Sequence, residues 1–304
     1  MKHRLYSQLL LAVLALSLSV VAPAADDDIP LEVDSPDPKL VKIVIVAGQQ
    51  AGNIEHQYWA GSVAIMKLLK QTPGIHVSMV RGGWPKNPAI FDNAKVIVLN
   101  LEGGEGGFIH PLTEGDNFAL LQKHMEKGVG LATFHKAVAL PPELGQKMAE
   151  WAGAFYDFKK GNKGHWNVSF STFPDHPSTR GMKPFTLNDG YVVGLTFNPD
   201  QKGLTPLLFA PKGKAKETLA AESSKELKDV TAWAYERPDG ARAFNFSGLH
   251  SHKYFKEESI RKFVTNGILW AAKIDVPAEG AKVDFDPADL EKNLEPINKA
   301  PGKK

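Results

Sequence analysis

Apolar positions along this chain change period several times, and each change marks an element. Lys42-Ile43-Val44-Ile45-Val46-Ala47 is a short, continuous, β-branched run closed by Gly48, as expected of a strand buried on both faces of a parallel sheet. Trp59, Val63, Met66 and the stem of Lys70 then recur at helical spacing, with Asn53 as a candidate cap and Gln71-Thr72-Pro73-Gly74 as a stop. Residues 76–81 and 96–101 read as the next two strands. A helix over about 116–127 buries Phe118, Leu121 and Met125, and Gly128-Val129-Gly130 leads into a strand at 131–134. Strand, helix, strand, strand, helix, strand in this order requires right-handed crossovers and predicts a doubly wound, mostly parallel α/β sheet.

The second half is more mixed. Pro141 and Pro142 open a helix through Leu144, Met148 and Trp151, and residues 166–170 alternate as a strand does. Residues 231–236 and 242–247 alternate on either side of Arg237-Pro238-Asp239-Gly240, which predicts an added hairpin. A last helix, 257–272, places Ile260, Phe263, Val264, Gly267, Ile268 and Ala271 on one face. The folded domain is therefore read as 41–275, preceded by an acidic linker at 25–40 with Pro30, Pro36 and Pro38, and followed by a polar, weakly ordered tail at 276–304.

Residues 1–24 stand apart. Lys2, His3 and Arg4 precede an uncharged apolar run from Leu9 to Val21, and Ala22-Pro23-Ala24 suits cleavage after Ala24, so this segment reads as a secretory signal and the protein as periplasmic or secreted. The run is shorter than the roughly 20 residues a membrane span needs, so no stable span is expected. The chain has no cysteine, which excludes disulfides, a lipid anchor on cysteine and acyl transfer through a thiol. Removing residues 1–24 takes away Lys2 and Arg4 and no acid, leaving 34 basic and 34 acidic side chains. A neutral surface offers nucleic acid no electrostatic footprint.

Ligands of open parallel sheets bind beyond the carboxyl ends of the strands, and this rule selects candidates without any motif. After the first strand come Gln49, Gln50, Glu55 and His56; after the third, Glu102 and Glu105; after the fourth, His135 and Lys136. Glu55-His56 is placed in a helix's first turn, where the dipole favours an ionised carboxylate and a neutral imidazole. His56 covering the core, and His135 as a satisfied core histidine, are the competing structural readings. The run Glu102-Gly103-Gly104-Glu105-Gly106-Gly107 lacks the spacing of a dinucleotide fingerprint, so no nucleotide is expected. His250 and His252 flank Ser251 on a loop and could share a metal or a polar substrate. Asp189 and Tyr191 offer a carboxylate and a phenol at one corner. Trp59, Trp84, Trp166 and Tyr254 add rings that could stack on sugars.

With these pieces assembled, the chain resembles the ThuA-like (trehalose utilisation) family from about Lys42 to Asp275. The resemblance rests on Glu55-His56-Gln57-Tyr58, Gly130-Leu131-Ala132-Thr133-Phe134-His135, Asp175-His176-Pro177, Asp189-Gly190-Tyr191, Ala232-Trp233-Ala234-Tyr235-Glu236, the histidine loop after Gly248, and Asn266-Gly267-Ile268-Leu269-Trp270-Ala271. It implies a flavodoxin-like, class I glutamine amidotransferase-like fold in which His135 stands where those enzymes carry their cysteine. It also implies work on trehalose-type or 3-keto glycosides, with histidines that hold a metal in some members. Two residues depart from the family pattern: Lys136 replaces a small residue and Gly190 an acidic one. The reading is a carbohydrate-processing lyase, isomerase or hydrolase and not a glutamine amidotransferase. His135, His56, Glu55 and Asp189 are its catalytic candidates; Gln49, Glu102, Lys136, Tyr191 and His252 would bind substrate, and His56, His135 and His250 are candidate ligands of zinc or manganese. A non-catalytic carbohydrate-binding protein of the cell envelope is the alternative, and a structural envelope protein a third.

Overall fold

The computed structural model describes residues 26–212, 219–220 and 226–299. The segment read as a secretory signal lies outside them. Strands β1 (Val41–Ala47), β2 (Ile75–Arg81), β3 (Val96–Leu101) and β4 (Gly130–His135) run parallel. Later in the chain, β9 (Leu204–Phe209), β11 (Val230–Glu236) and β12 (Arg242–Phe246) extend the same sheet, giving the order β2-β1-β3-β4-β12-β11-β9. β12 is parallel to β4, and β11 is antiparallel to both its neighbours.

Helices α1 (Tyr58–Leu69) and α4 (Glu258–Ala271) cover one face, and α2 (Asn117–Met125) and α3 (Pro142–Ala152) the other. The continuous apolar run of β1 follows directly. Ile43 and Ile45 pack with Trp59 and Phe263 on one side, while Val44 and Val46 share the opposite core with Leu121 and Trp151. The molecule is thus the doubly wound α/β fold expected.

A second layer was only partly visible in the alternation. β6 (Asn162–Phe170) and β7 (Phe185–Val193) form a long antiparallel ribbon, to which β10 (Leu219–Ala220) adds in parallel with β6. Trp166, Val168, Phe170, Leu187 and Tyr191 turn one face of the ribbon into the core. A small pair, β5 (Ala154–Phe155) and β8 (Thr196–Phe197), completes the strands. Among the described residues no helix is long and apolar enough to cross a membrane.

Two local expectations are corrected. α1 begins at Tyr58 without a side-chain cap, and the Asn53 side chain instead accepts the Glu55 N–H at 3.1 Å, shaping a turn. Glu55 and His56 therefore stand in the loop ahead of the helix, where the first-turn dipole argument does not apply. The segment beyond Asp275 is also far from loose. Val276, Ala281 and Val283 are buried, and Lys67 on α1 bonds both Asp27 and Asp289, at 2.7 and 2.9 Å. The acidic lead-in likewise pairs at Leu31 with Met79 on β2.

Candidate functional site

The strand order reverses at β1, so the crevice opens between the carboxyl ends of β1 and β3, with β4 and β12 beside them. Each of these four ends delivers a polar side chain. The loop after β1 carries Glu55 and His56, Glu102 follows β3, His135 ends β4, and His250 sits in the loop after β12.

His56 is buried and its Nδ1 lies 2.7 Å from the Ala51 carbonyl and 2.9 Å from Glu102 Oε2. Both neighbours are acceptors, so Nδ1 carries a proton. Nε2 is buried with no protein partner. Glu102 also accepts from the Tyr58 hydroxyl at 2.9 Å and from Lys136 Nζ at 2.8 Å. Burial alone would raise the pKa of this carboxyl, but His56 and Lys136 outweigh it and hold it at about 2, so Glu102 is ionised.

His135 occupies the sharp turn leaving β4 with φ 52° and ψ −115°, a conformation that few residues other than glycine adopt. It is buried, and neither ring nitrogen has a hydrogen-bond partner of good geometry, the Ser247 backbone acting on the ring only weakly. Burial first, then the neighbouring His250 and Lys136, push its pKa well below the ordinary histidine value, so the ring is neutral.

His250 is placed from below. The buried Asp189 on β7 accepts the backbone N–H groups of Leu249 at 2.6 Å, His250 at 3.1 Å and its own neighbour Gly190 at 2.6 Å. Gly190 is required by close approach: a Cβ there would sit 2.7 Å from the His250 ring. Gly190 thus makes room for an imidazole. Burial, with the histidines around it, lowers the His250 pKa to about 3.

The three rings converge, with centroids 4.5 Å apart for His56 and His250, 4.9 Å for His135 and His250, and 5.3 Å for His56 and His135. Their ligand nitrogens all lie within 4.8 Å of one another, a group able to hold a metal ion. The donor set fits a borderline divalent cation: three imidazoles, those of His135 and His250 held neutral by burial, orphaned buried nitrogens, and a carboxylate orienting one ring from behind. A second group, Glu55, His165 and His250, meets the same distance condition. His250 Nδ1 lies 3.0 Å from His165 Nε2 and 3.1 Å from Glu55 Oε2.

Of the residues picked from sequence, His56, His135, Glu55, Glu102, Lys136 and His250 meet here. Gln49 is exposed on the wall of an adjoining cleft of about 250 Å³, which Glu102, Phe108, Ile109 and Asn298 also line. Three others are elsewhere. Asp189 is fully buried under the His250 loop and positions it, and the carboxylate has no opening toward a substrate. Tyr191 is a core residue whose hydroxyl donates to the Leu187 carbonyl at 3.0 Å. His252 turns away to bond the Leu290 carbonyl at 2.8 Å. Trp59 and Trp166 are core as well. His165 escaped notice because the strand was read as starting at Trp166. Extending its alternation by one residue puts His165 on the face opposite the core.

Two solved structures share this architecture, at identities that speak for the fold alone. A ThuA-like protein from Bacteroides uniformis superposes with a TM-score of 0.51 at 14% identity, covering 79% of this chain and 94% of its own. One from Parabacteroides merdae gives 0.52 at 14%, covering 83% and 99%. No curated protein matches the chain significantly. The ThuA family, described as trehalose utilisation, matches residues 42–271, which span every strand of the central sheet, and the chain belongs to that family.

Proposed function

We propose that this is an exported protein that processes a sugar derivative, a trehalose-type or 3-keto glycoside, at the three-histidine group with the help of a divalent metal, zinc or manganese. The observation that carries the reading is the convergence of three buried imidazoles in which His56 Nε2 and both nitrogens of His135 have no protein partner. Family membership supports the sugar.

His56, His135 and His250 would hold the ion, which when bound supplies a Lewis acid toward a sugar carbonyl or hydroxyl. Glu102, kept ionised by His56 and Lys136, holds the His56 proton on Nδ1 and so keeps Nε2 available. Glu55 and His165, more open to solvent beside His250, offer a carboxylate and an imidazole to take a proton. In a 3-keto glycoside the carbonyl acidifies the C2–H bond. Transfer of that proton to such a base, formation of the C1–C2 double bond and departure of the C1 substituent with a proton complete an elimination.

Elemental analysis of the purified protein, with a keto-glycoside turnover screen, tests this. About one equivalent of zinc or manganese is expected, held at neutral pH and released only in acid, below the range where free histidine protonates, because burial disfavours the protonated rings of His135 and His250. Turnover by protein that neither contains nor takes up metal would leave plain imidazole acid/base chemistry. Sugar binding without turnover would move the protein to the carbohydrate-binding class. Export rests on the charged start and on Ala22-Pro23-Ala24. Protein recovered from its native envelope should begin near Ala25, and an intact Met1 refutes it.

A further inference from the structure

The matched family segment ends at residue 271, yet residues 286–299 lie across the loop that carries Glu55 and His56. Glu295 is the centre of this strap. One carboxylate oxygen accepts the Gln50 N–H at 3.1 Å, and the other pairs with the Arg81 guanidinium at 2.8 and 2.9 Å. The Gln57 side chain reads the Glu295 backbone from both sides, donating to its carbonyl at 2.9 Å and accepting its N–H at 2.7 Å. Asn298 repeats the pattern, donating its N–H to the Gln50 side chain and accepting the Gly52 N–H at 2.7 Å. The strap is fastened in turn by Leu290 to His252, by Asp289 to Lys67 and by Asn293 to Asp27.

Gln50, Gly52 and Gln57 bracket the Glu55-His56 pair. Between β1 and α1 the chain has no regular structure, and its own backbone bonds are few: Asn53 to Ala51, His56 to Asn53 and Gln57 to Glu55. A loop so sparsely bonded does not by itself hold an imidazole to the fraction of an ångström that ligation requires. We infer that Glu295 is a positioning residue, and that the strap it centres holds His56 in register with His135 and His250. The strap also supplies Asn298 to the cleft wall beside Gln49.

The test uses the full chain with Glu295→Ala, Glu295→Gln and Gln57→Ala. Lys292→Ala is the control, since it removes a strap side chain bonded to Asp289 and to no residue of the loop. Two readouts separate this inference from the metal reading on which its functional part rests. Hydrogen exchange at the His56 and Gln57 amides, neither bonded to the strap, should quicken about tenfold or more in Glu295→Ala and Gln57→Ala, less in Glu295→Gln, and not in the control. Cobalt(II) titration followed by its visible spectrum should show affinity reduced about 10- to 100-fold in the same order, as for other groups that orient a ligand. Should Glu295→Ala fail to fold, Gln57→Ala carries both measurements. Unchanged exchange at His56 in the folded variants overturns the strap. A wild-type protein that binds no cobalt overturns the metal reading, and the exchange data still decide the strap.

Discussion

His110 and His135 are both buried, both neutral, and joined through a single turn of chain, yet they are different kinds of residue. His110 accepts the Leu112 N–H on Nδ1 at 3.1 Å and faces the Ala137 carbonyl with Nε2, also at 3.1 Å. Its tautomer is fixed and its hydrogen-bonding capacity used, and burial lowers its pKa to about 4. His135, two residues before that carbonyl, has neither nitrogen bonded and a backbone held at positive φ. Burial and neutrality therefore do not distinguish a structural histidine from a functional one. Satisfaction is what the two do not share, and two desolvated nitrogens without partners are a cost that the proposed ligand would offset.

The comparison is sharpest under mutation. His135→Ala should lower zinc affinity by about 100-fold or more, beyond what loss of an orienting partner costs. Both variants open a cavity, but in the metal-free protein His135→Ala breaks no hydrogen bond and should cost about 1–2 kcal/mol less than His110→Ala. His110→Ala should reverse the pattern. It strands the Leu112 N–H and the Ala137 carbonyl and opens a cavity, costing about 2–4 kcal/mol, while zinc affinity changes far less than in His135→Ala. Isothermal titration and urea unfolding of both variants check this, and a metal-free His135→Ala protein that loses as much stability as His110→Ala while zinc affinity is unchanged would make His135 an ordinary core residue.

A smaller effect concerns pH. A histidine whose folded pKa is depressed refuses a proton that the unfolded chain takes up below about 6.5, so its stability is full above that pH and is lost as pH falls toward the folded value. For His110, with a folded value of about 4, the slope amounts to roughly 1 kcal/mol per pH unit between pH 6.5 and 4. His176, lowered to about 4 chiefly by burial, acts in the same direction. Urea midpoints of the metal-free protein should fall across this window, and His110→Ala should flatten the fall. An unchanged slope in that variant would show that His110 does not titrate as described.

Periodicity carried most of the fold because parallel strands are buried on both faces and announce themselves as unbroken apolar runs. β3 was readable to the residue, and the Arg237-Pro238-Asp239-Gly240 turn placed β11 and β12. The rule that ligands sit at strand ends found His56, Glu102, His135 and Lys136, because topology alone decides which residues follow a strand. What periodicity could not reveal was held by single side-chain to backbone bonds. The strap around Glu295 has no repeat and few apolar residues, and so read as a loose tail. Asp189 looked catalytic as a carboxylate beside a phenol, and only the chain crossing above it showed three N–H groups claiming its oxygens. Lys136 and Glu102 were selected one by one as substrate ligands, whereas their separation of 34 residues closes into an ion pair.

The pairing of β4 with β12 has a kinetic consequence. Thr133 donates to Asn245 at 2.6 Å over a sequence separation of 112, and His135 and His250 lie just beyond this seam. Closing so long a loop is slow, and contacts of this separation dominate the folding time of sheet proteins. A nascent chain that has completed β1 to β4 holds His56 and His135 but has no third imidazole until β12 docks. The proposed three-histidine site is therefore assembled late, only once β12 has docked against β4.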